Sequence, residues 1–88
     1  RPYFQAANYY YENNKDLTKA LTWVNTATEQ NPKAYWMMHL KAKIQMKMKD
    51  TKGAVESAEK SMAAAKEDSN ADYVKLNEKL IAEAKGTK

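Results

Sequence analysis

The sequence predicts an all-α fold, a right-handed stack of five antiparallel helices made of two helix hairpins and a closing C-terminal helix. Three observations predict it. Apolar residues recur every three or four positions in five successive segments. Turn and cap residues fall between those segments. The chain also aligns with itself at an offset of 34 residues, Lys15 on Lys49, Asp16 on Asp50, Ala20 on Ala54, Leu21 on Val55 and Ala27 on Ser61. A composition with 43% hydrophobic residues, 30% charged and only two Gly and two Pro agrees with helix throughout. At 88 residues the chain suffices for one domain whose core lies near the surface everywhere, which leaves little room for an enclosed active site.

Phe4, Ala7 and Tyr11 share one face of a first helix over about 3–13. Asn13, Asn14 and Asp16 supply turn and cap chemistry after it. Leu17, Ala20, Leu21, Val24 and Ala27 form the stripe of a second helix ending near Gln30, with Trp23 on its flank. At Asn31-Pro32 the proline either closes that helix or sits in the first turn of a third that Asn31 caps. Met37, Leu40, Ile44 and Met48 mark the third helix, to about Lys49. Asp50-Thr51 reads as the next cap. Val55, Ala58, Met62 and Ala65 give the fourth helix a face of small residues, fraying at Glu67-Asp68. Ser69 and Asp72 are spaced as a capping box for a fifth helix carrying Tyr73, Leu76, Leu80, Ile81 and Ala84, which ends at Gly86. The predicted units are therefore hairpin 1 over about 3–31, hairpin 2 over about 33–67 and a closing helix over about 70–85.

Small residues recur where the helices of a hairpin approach closely, and large ones where hairpins interdigitate. With its 34-residue period the chain resembles the tetratricopeptide repeat. Phe4, Ala7, Tyr11, Ala20, Val24, Ala27 and Pro32 fall on pattern positions in the first unit, and Ala42, Gly53-Ala54 and Ala58 in the second. The second unit departs from the pattern at Gln45 and Lys66. Two repeats are fewer than the three usually needed, and the fifth helix supplies the third layer with Lys75, Glu78, Lys79 and Glu83 on its outer face. More closely, "NNKDLTKALTWVNTATEQNPKAYWMMHLKAKI" and "DYVKLNEKLIAEAKG" resemble the C-terminal helical segment of a bacterial secreted family without an assigned reaction. That resemblance implies an extracytoplasmic protein in which a signal peptide and a mostly β domain precede this segment. The start at Arg1, without Met, raises the same expectation of a larger parent chain.

The net charge of +4 comes from fourteen Lys and one Arg against eleven acids, dispersed along the chain. It hints at an acidic partner, against the plainer reading of a solvated lysine-rich surface. The dominance of Lys over a single Arg speaks against dedicated phosphate or base recognition. Lys41 and Lys43 lie about 200° apart around a helix and form no stripe for a nucleic-acid backbone. No run of about 18 apolar residues is present, so no membrane insertion is expected. Without cysteine there is neither a disulfide nor a thiolate metal site. His39 is the lone histidine, with no carboxylate at i+3 or i+4, so no metal or other cofactor is expected. Nor is there a nucleophile, histidine and acid set or a glycine-rich phosphate loop, and the chain reads as non-enzymatic.

In stacked hairpins the first helices line a groove, which brings Gln5, Tyr9 and Glu12 to face Trp36, His39, Lys43 and Lys47. Aromatic anchors beside lysines suit a peptide or protein partner carrying acidic groups. The alternative is that Trp36 packs on its neighbours and the lysines are merely solvated. The carboxylate clamp known in the tetratricopeptide family needs Lys and Asn where this chain has Gln5, Tyr9 and Leu40, so that mode is not predicted. Tyr3, Tyr9, Tyr10 and Tyr11 give the first helix more aromatic faces than one core absorbs. Tyr3 and Tyr10 therefore form a candidate docking surface for an upstream domain or a second copy. Of the five methionines, Met37, Met48 and Met62 fall on core stripes, leaving Met38 and Met46 for the surface.

Overall fold

Three devices, two of them repeated, set most helix ends in this chain, and the computed structural model, which describes residues 2–86, has five helices. These are α1 (Tyr3–Glu12), α2 (Leu17–Gln30), α3 (Tyr35–Lys47), α4 (Thr51–Glu67) and α5 (Ala71–Ala84), and no strand occurs among the described residues.

The first device is the side-chain cap. Asp16 accepts from the Lys19 amide at 3.2 Å, Asp50 from Gly53 at 3.0 Å and Asn70 from Tyr73 at 3.0 Å, each satisfying one orphan N–H of a first turn. The second is a left-handed residue after the helix: Asn14 (φ 52°), Lys49 (φ 67°) and Ser69 (φ 56°). In each case the following amide reaches back five residues, Lys15 to the Tyr10 carbonyl at 2.9 Å, Asp50 to Gln45 at 2.9 Å and Asn70 to Ala65 at 2.8 Å. The third device closes α2. Asn31 donates its side-chain amide to the Ala27 carbonyl at 2.9 Å, and Pro32 lies in the connection, outside both helices.

The capping box expected at Ser69 and Asp72 is therefore corrected. Ser69 is consumed as the left-handed residue ending α4, and Asn70 caps α5. Left-handed backbone costs an L-residue about 1–2 kcal/mol, and glycine avoids most of this at some entropic cost. Lys49→Gly is accordingly expected to stabilise the fold by about 0.5–1 kcal/mol, read as a higher urea midpoint with unchanged slope.

The 34-residue offset holds for the second helices: Ala20 and Ala54, Val24 and Ala58 are all fully buried, and Ala27 and Ser61 nearly or fully so. The first helices follow an offset of 35, which places buried Ala7 on buried Ala42 and Asn14 on Lys49 as left-handed residues. The additional residue lies in the first joint, where 13–16 separate α1 from α2 against 48–50 between α3 and α4. Lys15 aligned with Lys49 by residue type, whereas backbone geometry pairs Asn14 with it.

Hairpin α1–α2 packs through α2 on α3, and α4 packs on both α3 and α5. α3 is also touched by α1 and α5, whereas no Cα of α2 comes within 8 Å of α4. The smallest dimension, 18 Å, is the depth of two helix layers at about 10 Å each. One core cluster joins Ala7, Ala20, Val24, Leu40 and Ile44, with Phe4, Tyr11 and Leu21 against it. A second joins Ala42, Ala54, Ala58 and Leu80, so α3 serves both. Two stripe residues are corrected. Met48 is exposed because α3 stops at Lys47, just before it, and Leu76 is 45% exposed on α5.

Candidate functional site

A cavity of about 250 Å³ lies between α1, α3 and α5. Tyr11 from α1 and His39 and Lys43 from α3 border it, facing Leu76, Lys79 and Glu83 of α5. Met46 and Leu80 complete its apolar wall. Lys43 and Lys47 both approach the Tyr11 ring, with Nζ 5.2 Å and 4.4 Å from its centroid. Each such contact contributes roughly 0.5–1 kcal/mol at an exposed site. Lys47 additionally donates to the Tyr11 carbonyl at 3.2 Å and to Asn14 Oδ1 at 2.8 Å, which ties the end of α1 to α3. Burial, and secondarily Glu12, raises the Tyr11 hydroxyl above its ordinary pKa, so the ring offers a neutral face to both cations.

The expected groove residues separate. His39 and Lys43 line the cavity, and Lys47 is engaged with α1. Trp36, 42% exposed, stands edge-on to Tyr35 at 5.2 Å and borders a different depression with Lys33, Glu67 and Asp68. Gln5, Tyr9 and Glu12 are exposed on α1 and do not border the cavity; Tyr9 instead carries Lys15 over its ring at 5.7 Å. Neither half of the expected docking pair projects freely. Tyr3 is half-buried, and Tyr10 packs edge-on to Trp23 at 4.8 Å against the first core cluster, because the 100° step per residue turns it inward and leaves Tyr9 as the outward ring. Met46 packs on the second core cluster, and Met38 borders a cleft between α2 and α4.

Polar residues that the periodicity passed over support the floor of the groove. Asn77, fully buried, donates to Ser61 Oγ at 2.8 Å and to the Tyr73 carbonyl at 2.9 Å, and its Oδ1 lies 2.7 Å from His39 Nδ1. Ser61 passes its own proton to the Tyr35 carbonyl at 2.7 Å. Tyr35 in turn donates to Asp68 at 2.6 Å and accepts from Asn70 at 3.2 Å. This chain of bonds docks α5 on α3 and α4. A signal for it was present: Asn77 sits on the stripe of Tyr73, Leu80 and Ala84, where an amide requires buried partners.

Burial lowers the His39 pKa from its ordinary 6.5; the Asn77 bond opposes this, and Lys43 adds to the lowering. The folded chain thus resists a proton that the unfolded chain takes up near 6.5, and folding stability is complete above that pH. It is expected to fall as pH drops from about 6.5 toward the lowered value and to level off for this group below it. Urea midpoints across that interval check this, with His39→Gln removing the step.

Among the described residues no group of three His, Asp or Glu side chains converges as a metal site, and no helix is long and apolar enough to cross a membrane. No protein-family model, curated protein or solved structure matches the chain.

Proposed function

We propose that the chain is a non-catalytic interaction module of tetratricopeptide-like build, binding an acidic segment of a peptide or protein partner between α1, α3 and α5. The observation that carries this reading is the pairing of an exposed apolar residue with cations at one cavity. Leu76 remains 45% exposed where Lys43 and Lys79 flank it, with one carboxylate, Glu83, nearby. An apolar anchor ringed by charge gives affinity through burial and selectivity through sign. Blocked acidic peptides with one aliphatic or aromatic residue, titrated into isotope-labelled protein, should shift the amide signals of Lys43, Leu76 and Lys79, with affinity falling as salt rises. Leu76→Asp should abolish those shifts. Equal binding of lysine-rich counterparts would refute the reading.

A second reading is a structural tail that packs on an upstream domain through α1. Tyr9, 55% exposed, favours it. In that case Tyr9→Ala, and not Leu76→Asp, would disrupt association in a longer chain.

A further inference from the structure

His39, which borders the α1–α3–α5 groove, carries a hydrogen-bond acceptor with no donor among the described residues. Backbone carbonyls dictate every proton position around it. A carbonyl cannot donate, so the Asn77 atom 2.9 Å from the Tyr73 carbonyl is the amide nitrogen, which fixes the side-chain orientation. Ser61 has one hydroxyl proton and gives it to the Tyr35 carbonyl, so it can only accept from Asn77. Asn77 Oδ1 is then left facing His39 Nδ1, and that nitrogen must carry the ring proton. In the neutral ring Nε2 is a bare lone pair. It makes no hydrogen bond among the described residues and is not one of their sealed, unpartnered side-chain atoms, so it is open to solvent. His39 is 8% exposed, and it borders the cavity.

A ligand that completes this site must bring a donor to the floor and an apolar body for Leu76, Met46 and Leu80. Lys and Arg bring donors but meet Lys43 and Lys79. Ser and Thr are too short to cover the apolar wall while reaching the floor. Asn and Gln lack the apolar body, Phe lacks the donor, and Trp carries its N–H on the side of a wider two-ring body rather than at its tip. A tyrosine has both, with the hydroxyl at the tip of the ring, and a cavity of about 250 Å³ admits one large side chain. We infer that the groove takes a tyrosine side chain of the acidic partner segment, its hydroxyl donating to His39 Nε2 and its ring lying on Leu76. This rests on the reading of that groove as the partner site and names the residue it selects.

The test compares the blocked peptides Asp-Glu-Tyr-Glu-Asp and Asp-Glu-Phe-Glu-Asp on the intact chain, with the nitrogen resonances of the His39 ring as readout. A buried acceptor left unpaired by Phe predicts binding about tenfold or more weaker than with Tyr. The Nε2 resonance should move with the Tyr peptide alone, and His39→Gln should bring the two affinities together. Equal binding by the parent chain overturns the tyrosine inference while leaving the groove standing; no binding of either peptide removes both. A Tyr preference that survives in His39→Gln also overturns it. So does a displaced Nε2 resonance in the peptide-free Tyr11→Phe chain, because the donor would then be internal.

Discussion

Asn77→Leu is expected to destabilise the chain by about 2–4 kcal/mol, out of a total on the order of 5–10 kcal/mol for a domain of this size. The residue is fully buried and holds three partners on three helices. Leucine fills nearly the same volume, so the loss comes from polar desolvation rather than from a cavity. The His39 Nδ1–H is left facing hydrocarbon, and Ser61 Oγ loses the proton it accepts. The double change His39→Leu with Asn77→Leu should recover part of the loss, since removing both ends of a buried bond costs less than removing one. Urea unfolding measures the energies. Hydrogen exchange should show the α5 amides opening first, because the network docks that helix. A single Asn77→Leu chain within 0.5 kcal/mol of the parent would remove the network from any structural role.

Ile44→Ala should cost about 2–5 kcal/mol, and Met48→Ala less than about 1 kcal/mol, although both fall on the apolar stripe by which the sequence marks the third helix. Ile44 is among the largest side chains with no exposure, in the cluster where α3 meets the first hairpin. Truncation there leaves a cavity between two hairpins that α1 and α2 cannot collapse to fill without breaking the Ala7 and Ala20 contacts. Met48 lies after the last turn of α3 and is 36% exposed, so its side chain has little packing to lose. Thermal or urea denaturation of the two variants side by side decides the matter. Equal losses would mean that α3 continues past Lys47 in solution.

How far the sequence could be read depended on whether a feature was local. Asp16 and Asp50 were legible as caps because a carboxylate three residues before an unpaired amide needs no tertiary help. Ser69 misled because its spacing to Asp72 fits one local motif while its backbone serves another, the end of α4. In the candidate site, Lys43 and His39 border one cavity, yet Trp36, on the same helix face, lies against Tyr35 and the end of α4. Tyr10 reads as an outward ring by its place among four tyrosines, whereas Trp23 of α2 holds it edge-on against the first core cluster.

By itself the sequence determined the five helices, their joints and the duplicated hairpin, since period, caps and turn residues act within a few positions of one another. Only the tertiary structure decided that the first helices repeat one residue out of step with the second, that His39 is held as an Nδ1–H imidazole by an asparagine 38 positions away, and that Leu76 stays open beside two lysines. The physical reason is that a helix fixes the direction of a side chain but not its partner. Partners arrive from other helices, and their carbonyls settle where each proton goes.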